Sequence, residues 1–178
     1  GGAHPKVYLP LNEKAVLRRT IEQFLSSPGL VSLRVIIHPD DMQRYQDAVE
    51  GLNLPAPIYG GKTRMSSIYK GLHEISDIEY EDVILIHDAA RPLIDPRDIA
   101  SVVHNTVESG AASLVSPVCD SLREVLAQDH MLGSSVSRED KVALQTPQGF
   151  RYGQICAAHE AARQAQRNYS DDTQIASA

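Results

Sequence analysis

Residues 83–92 read Val-Ile-Leu-Ile-His-Asp-Ala-Ala-Arg-Pro, and this stretch decides the fold. Its first half is a short apolar run rich in β-branched residues, which is typical of a strand buried on both faces of a sheet. Its second half is polar, so we expect the strand to end at His87. Asp95-Pro96 then predicts the start of a helix that runs to about Val107, because aspartate is a favoured N-cap and proline a favoured first helical residue.

The same alternation of strand and helix extends in both directions from this stretch. We predict further strands at 33–37, 57–59 and 112–116, and helices at 13–25 (capped by Asn12), after 38–41 to about 49, at 64–72 and at 154–166. Strands that alternate with helices favour a parallel sheet covered on both faces. The predicted fold class is therefore α/β, with a Rossmann-like, mostly parallel sheet and helices on both faces.

The stretch 117–150 breaks this rhythm. It contains short alternating segments at 121–125 and 142–144 around a polar loop, which predicts a protruding β-arm. The stretch is too polar and too irregular to be predicted as a buried strand pair. Because closed two-fold dimers are the commonest oligomers, we expect the arm to pack on a second copy of the chain and to form a homodimer.

Composition excludes several classes of protein. The chain has 178 residues, of which 42% are hydrophobic and 22% charged, as expected for one domain with a real core. Its net charge of −6 argues against a general nucleic-acid binder, and its apolar runs are too short to span a membrane. The two cysteines, Cys119 and Cys156, do not make a disulfide scaffold, so we expect a cytoplasmic protein. The seven histidines have no zinc-site spacing.

Two groups of residues follow predicted strands, where open α/β sheets bind their ligands. Gly60-Gly61-Lys62-Thr63-Arg64 lies between a strand and a helix, so its backbone N–H groups can approach an anion or a base edge. Glycine in such a turn is equally often purely conformational. Asp88 can hold Mg²⁺ or a sugar hydroxyl, and Arg91 can hold a phosphate. The alternative is that Asp88 satisfies loop N–H groups and Arg91 pairs with a surface acid.

Lys6 lies near the start of the chain, in the segment His4-Pro5-Lys6-Val7-Tyr8. A lone lysine near a terminus is usually a solvated charge, so this residue alone predicts no function. The residues considered so far indicate an α/β domain with a cleft that suits an anion. The serine pair Ser66-Ser67 lacks the glycine pattern of a nucleophile elbow, so a hydrolase triad is not supported.

Several motifs in order carry a resemblance to a known family. They are Pro5-Lys6-Val7-Tyr8, Gly60-Gly61-Lys62-Thr63-Arg64 with Ser67, His87-Asp88-Ala89-Ala90-Arg91-Pro92, Pro117-Val118-Cys119-Asp120-Ser121, Arg138, Thr146-Pro147-Gln148-Gly149-Phe150 and Ser170-Asp171-Asp172. Together the motifs run along nearly the whole chain, and it resembles the 2-C-methyl-D-erythritol 4-phosphate cytidylyltransferases. The form of Thr146–Phe150, with Ala-Ala-His-Glu at 157–160, resembles members fused to a cyclodiphosphate synthase.

The resemblance implies a reaction and a set of roles. CTP would give its cytidylyl group to methylerythritol phosphate, with Mg²⁺ as cofactor and pyrophosphate as the leaving group. Lys6 would stabilise the transition state, and Arg138 would reach the substrate of the neighbouring subunit. The remaining site residues that the resemblance implies are Gly60, Gly61, Ser67 and Asp88 for the nucleotide, Asp88, Arg91, Ser121, Thr146 and Ser170 for the substrate, and Asp88 for the metal.

Some features depart from the family pattern. By resemblance, residues 1–178 are a single nucleotidyltransferase domain without its first strand and glycine-rich loop and without a lysine-bearing C-terminal segment, so we expect these residues alone to be inactive. Lys62 stands where an acid is common. A cytidylyltransferase for another sugar-alcohol phosphate, such as ribitol 5-phosphate, stays open, as do a receiver-like signalling domain and a module that only binds nucleotide.

Overall fold

Strands and helices alternate along the first two-thirds of the chain in the computed structural model, which describes residues 5–126 and 131–177. The helices are α1 (Val16–Leu25), α2 (Met42–Ala48), α3 (Arg64–His73), α4 (Pro96–Ser109), α5 (Tyr152–Gln164) and α6 (Asp172–Ala176). The strands are β1 (Pro10–Leu11), β2 (Lys14–Ala15), β3 (Ile36–Ile37), β4 (Ile58–Tyr59), β5 (Val83–Ile86), β6 (Ala111–Pro117), β7 (Leu122–Val125), β8 (Leu132–Val136) and β9 (Val142–Arg151). The predicted α/β class is confirmed.

The central sheet has the strand order β5-β9-β6, and β9 runs antiparallel to both of its neighbours. Strands β5 and β6 run in the same direction, joined by α4, but β9 lies between them. Among the described residues, parallel pairing occurs between β3 and β4. The prediction of a mostly parallel sheet is therefore wrong in its pairing, because the strand that fills the place between β5 and β6 comes from the far end of the predicted arm.

Helices cover both faces of the central sheet, as predicted. Ile84 and Ile86 pack with buried residues of α3 and α5, whereas Leu85 packs against Ile99 of α4 and Phe24 of α1. This division follows from the strand geometry, since successive side chains point to opposite faces. The apolar run at 83–86 is thus a strand with two half-buried faces, and it presents the loop that follows it at one edge of the sheet.

The boundary predicted for the arm is wrong at its C-terminal end. Residues 146–150, read as part of an irregular polar stretch, are buried in the second half of β9. Gly149 explains the misleading composition, because a Cβ there would lie 2.2 Å from Oγ1 of the fully buried Thr106. The glycine permits close contact with α4 and does not mark a turn. The rest of the predicted arm forms the hairpin β7–β8 and the outer half of the β6–β9 ladder.

The first predicted helix begins later than expected. Asn12 and Glu13 have φ of 47° and 67°, and they form the tight turn of the hairpin β1–β2. Positive φ at both central residues suits a two-residue hairpin, and asparagine tolerates it well. Asn12 is therefore a turn residue, and α1 starts only at Val16. Among the described residues, no helix is long and apolar enough to cross a membrane.

Candidate active site

Lys6 is exposed at the start of a single 3₁₀ turn, Lys6–Tyr8. The next two residues, Val7 and Tyr8, pack against the core around Leu17, and burial raises the pKa of Tyr8 to about 12. Val7 also lines an open cleft of about 590 Å³ together with residues 88–91. The packing of the turn therefore places Lys6 next to the loop that follows β5.

Hydrogen bonds of its backbone groups fix the loop after β5. The N–H of Asp88 donates to the hydroxyl of Thr146 (3.1 Å), and the N–H of Arg91 donates to the carbonyl of Asp88 (3.0 Å). The hydroxyl of Thr20 donates to the carbonyl of Ala89 (2.8 Å). The ring of His87 is half-buried, and this burial lowers its pKa. Asp88, Arg91 and Thr146, three residues predicted for the site, thus lie together in the structure.

The carboxylate of Asp88 lies between two guanidinium groups. Its Oδ2 is 3.3 Å from Nε of Arg91, and its Oδ1 is 3.6 Å from Nε of Arg64. Arg91 also donates to the side-chain oxygen of Gln145. Because Arg64 also pairs with Asp172, the two guanidinium groups face two carboxylates, and they bring N–H donors and no net charge to the cleft. Such a group of donors suits a phosphate, which guanidinium groups bind through paired hydrogen bonds.

The glycine turn is a closely packed unit before α3. The hydroxyl of Ser67 accepts a hydrogen bond from the N–H of Gly61 (3.0 Å) and donates to the carbonyl of Thr63 (2.9 Å). A Cβ on Gly60 would lie 2.8 Å from Oγ of Ser67, and one on Gly61 would lie 2.2 Å from Oγ of Ser66. Both glycines are therefore required by the close approach of side chains, and this turn leads directly into Arg64.

The structure adds four residues that the sequence did not single out for the site. Nη1 of Arg64 binds Oδ2 of Asp172 at 2.7 Å, and Nε2 of His159 binds Oδ1 of the same carboxylate at 3.0 Å. Gln148 accepts a hydrogen bond from the N–H of Asp172 (3.3 Å). Arg64, Gln148 and Asp172 lie within the sequence motifs that carry the family resemblance, so the sequence held a signal for these three residues. His159 lies in the Ala-Ala-His-Glu segment at 157–160, to which the resemblance assigned no site role.

The remaining predicted residues, Ser170, Arg138 and Ser121, are exposed, and Ser170 and Arg138 make their hydrogen bonds away from Asp88. Ser170 lies two residues before Asp172 and is exposed. Its hydroxyl donates to Oε1 of Gln174 (3.2 Å). Arg138 and Ser121 are exposed on the arm, where Arg138 donates to the carbonyl of Cys119. Within the single chain the structure therefore joins Asp88, Arg91 and Thr146, and leaves Arg138 and Ser121 in the arm.

A metal held by protein groups alone does not fit this site. Both oxygens of Asp88 face arginine nitrogens, and the described residues contain no group of three His, Cys, Asp or Glu side chains that could hold an ion. Mg²⁺ is usually held by one or two carboxylates together with substrate phosphates. The prediction of Mg²⁺ at Asp88 thus stays a prediction that requires oxygen ligands from a substrate.

Comparison with known proteins identifies the family. Residues 1–178 match the family model described as "IspD: 2-C-methyl-D-erythritol 4-phosphate cytidylyltransferase". A bifunctional enzyme IspD/IspF of Paramagnetospirillum magneticum is 43% identical over 161 residues, which are 90% of this chain and 41% of that protein. The one from Rhodospirillum rubrum is 38% identical over 98% of this chain and 44% of its own length. The chain thus spans less than half the length of these curated relatives.

Solved structures agree with the family match. The crystal structure of the 2-C-methyl-D-erythritol 4-phosphate cytidylyltransferase from Thermus thermophilus is 29% identical and has a TM-score of 0.77, covering 98% of this chain and 79% of that one. A 4-diphosphocytidyl-2C-methyl-D-erythritol synthase from Anaerococcus prevotii, 21% identical, has the same fold with a TM-score of 0.83 over 93% of this chain and 72% of its own. The motifs, the fold and the family model agree, and the chain belongs to the 2-C-methyl-D-erythritol 4-phosphate cytidylyltransferase family.

Proposed function

We propose that the protein containing this chain transfers CMP from CTP to 2-C-methyl-D-erythritol 4-phosphate. The products are 4-diphosphocytidyl-2-C-methyl-D-erythritol and pyrophosphate, which places the reaction in non-mevalonate isoprenoid biosynthesis. The observation that carries this proposal is the family match over residues 1–178. The guanidinium donors of Arg64 and Arg91 beside Asp88 support it, because both substrates are phosphate esters.

The reaction requires the protein to orient the two substrates and to stabilise negative charge. A phosphate oxygen of methylerythritol phosphate attacks the α-phosphorus of CTP, a new P–O bond forms, and the bond to the β-phosphate breaks with its electrons leaving on pyrophosphate. No covalent intermediate with the protein is required, so orientation and electrostatic stabilisation supply the catalysis. Lys6 is exposed beside the cleft, and we propose that its ammonium group stabilises the charge that gathers on the phosphoryl group.

The other site residues divide between the two substrates. We propose that Gly60, Gly61 and Ser67 line the nucleotide pocket, since their turn offers backbone groups at the start of α3. Asp88, Arg91, Thr146 and Ser170 would hold the methylerythritol phosphate end, with Asp88 also close to the nucleotide. The contacts among Asp88, Arg91 and Thr146 support a shared role at one place.

From the family assignment we also propose a divalent cation, a cytoplasmic location and a longer chain. Mg²⁺ would accompany the triphosphate and not occupy a protein-built cage, consistent with the arginine neighbours of Asp88. A cytoplasmic location fits the two free cysteines. Because curated relatives are bifunctional IspD/IspF enzymes, we propose that a fused cyclodiphosphate synthase accompanies this domain.

The first test is pyrophosphate release by the protein that contains this chain. It is supplied with CTP and Mg²⁺ and offered either methylerythritol phosphate or ribitol 5-phosphate. We expect kcat/KM to be at least about 100-fold higher for methylerythritol phosphate, a discrimination that buried polar contacts can readily provide. A preference for ribitol 5-phosphate would change the proposed substrate, and nucleotide binding without release from either would reduce the domain to a binding module.

The arm supports a dimer with shared sites. Its exposed surface carries large apolar side chains, namely Val115, Val125, Leu126, Met131, Leu132, Val142 and Leu144. Exposed apolar side chains on adjoining strands mark an interaction surface, and a second copy is the partner that a two-fold dimer supplies. We propose that Arg138 and Ser121 on this arm reach the methylerythritol phosphate site of the neighbouring subunit, whereas Lys6 acts in its own.

Subunit mixing tests the shared site. Lys6→Ala and Arg138→Ala proteins, each inactive alone, are mixed in equal amounts under conditions that exchange subunits. About half of the dimers are then mixed, and one of their two sites has both residues, so about a quarter of wild-type activity should return. If Arg138 serves its own subunit, each site keeps one defect and nothing returns. No recovery, with exchange confirmed by native mass spectrometry, would reject the shared site.

A further inference from the structure

A buried histidine–aspartate pair lies behind the cleft. The side chains of His159 on α5 and Asp172 at the start of α6 both have 0% exposure, and Nε2 and Oδ1 are 3.0 Å apart. A carboxylate removed from water must be paired and hydrogen-bonded. Asp172 has two such partners, since its other oxygen binds Nη1 of Arg64 at 2.7 Å. A fully buried acid is thereby used to hold one arginine from another part of the chain.

The location of the proton in this pair follows from the donor inventory. An ionised carboxylate only accepts hydrogen bonds, so Nε2 of His159 must carry the hydrogen and donate it. Nδ1 of the same ring is buried and has no hydrogen-bond partner among the described residues. The neutral ring leaves only a lone pair unsatisfied there, whereas a protonated ring would leave an N–H unsatisfied. The geometry therefore assigns the neutral Nε2–H form to His159.

Arg64 connects this buried pair to the surface of the cleft. Its backbone begins α3, where Thr63 forms a capping box with Ser66 and fixes the helix start. Its guanidinium group binds Asp172 through Nη1 and approaches Oδ1 of Asp88 through Nε at 3.6 Å. Exposure rises along the series, from 0% at Asp172 to 37% at Arg64 and 41% at Asp88. One end of Arg64 is therefore fixed in the interior, and the other reaches the site.

We propose that Asp172, oriented by His159, is a positioning residue that holds the guanidinium group of Arg64 beside Asp88. Arg64 has many rotamers in water, and a fixed partner at one nitrogen leaves the rest of the planar group in one orientation. Arg64 thereby balances the charge of Asp88 and contributes to the phosphate site without a rotamer search when the substrate binds. This proposal rests on the proposed function, in which Asp88 contacts the methylerythritol phosphate.

A merely structural ion pair makes a different prediction. Removing one member of a buried pair leaves the other without its partner and lowers stability, whichever role the pair has. If the pair only stabilises the interior, the folded fraction of a His159→Leu protein should keep its kinetic constants. If the pair positions Arg64, the folded His159→Leu protein should lose activity at temperatures well below its thermal midpoint. The two roles are separable by comparing stability with kinetics.

The experiment uses four variants of the protein that contains this chain. Asp172→Asn removes the charge that holds Arg64. His159→Leu removes the donor, whereas His159→Gln retains an N–H donor at similar size. Glu160→Gln is the matched control, because it changes the neighbouring residue on the same helix, whose half-buried carboxylate pairs with Arg163 and accepts from Tyr69. Each variant is measured for its thermal midpoint, for kcat and KM with CTP and methylerythritol phosphate, and for the ¹⁵N–¹H resonance of Nε in Arg64.

We expect Asp172→Asn to lower kcat/KM for methylerythritol phosphate by about 10–100-fold, the effect of a misplaced site group, with a smaller change for CTP. His159→Leu should lose about 10-fold in kcat/KM at temperatures well below its thermal midpoint, which itself should fall because Asp172 loses a partner. His159→Gln should recover most of the lost activity. The Nε resonance of Arg64 should shift in Asp172→Asn and His159→Leu, and stay in place in Glu160→Gln.

Three results would overturn the proposal. They are unchanged kinetics in Asp172→Asn, equal activity in His159→Leu and His159→Gln, or losses of activity that follow losses of stability in every variant. If Asp172→Asn does not fold, the two His159 variants decide. If the wild-type protein transfers no cytidylyl group, the proposed function fails, and the Arg64 resonance still shows whether the pair holds that side chain.

Discussion

Lys6→Ala, made in the protein that contains this chain, should lower turnover by about 10²–10³-fold, as expected when one preorganised charge is removed from a transition state. Lys6 is exposed, and its neighbours Val7 and Tyr8 provide the packing that fixes the turn. The backbone of Lys6 is thus fixed by residues that the substitution leaves intact. Turnover is measured by pyrophosphate release, and the fold by thermal unfolding.

The matched control for Lys6 is Lys14→Ala. Lys14 also lies near the start of the chain and is 48% exposed, but its ammonium group pairs with Glu22 at 2.8 Å. An exposed ion pair contributes about 0–1 kcal/mol to the free energy of unfolding, so this variant should keep both its stability and its turnover. Unchanged turnover in Lys6→Ala would return Lys6 to the role of a solvated charge.

The part of the fold that the sequence predicted rests on local signals. The apolar run at 83–86 and the cap Asp95-Pro96 depend on residues close in sequence, and both lie where we expected them. The insertion of β9 between β5 and β6 depends on contacts between distant segments. Residues 146–150 have the composition of a turn, because Gly149 is selected by the closeness of Thr106 and not by its own backbone. The sequence pattern therefore did not predict the strand at the centre of the sheet.

The site shows the same division between local and distant signals. Asp88 follows a clear strand, so its position at the sheet edge was predictable. Its contact with Thr146 was not predictable from spacing, because 58 positions separate them. Arg64 and Asp172 are 108 positions apart, and no sequence motif assigned a site role to His159. Buried charges are placed by tertiary structure, and a single sequence carries little information about their partners.

The ion pairs around Asp88 indicate what its charge does. Asp88→Asn retains the shape of the side chain and removes the negative charge between Arg64 and Arg91. Arg91 then lacks its anionic partner, Arg64 keeps only Asp172, and a hydroxyl of the substrate loses a charged acceptor. We expect kcat/KM for methylerythritol phosphate to fall by about 10²-fold or more, because the loss affects charge and orientation together.

Stability should respond much less than activity to Asp88→Asn. The carboxylate is 41% exposed, so its ion pairs contribute little to the free energy of unfolding, and a change within about 1 kcal/mol is expected. The N–H of Asp88, which donates to Thr146, is unaffected by the substitution. Asp40→Asn is the control, because Asp40 also follows a strand, in the 3₁₀ turn Pro39–Asp41, but is 86% exposed. An Asp88→Asn protein that keeps its activity and unfolds at a lower temperature would show that Asp88 stabilises its loop and does not serve the substrate.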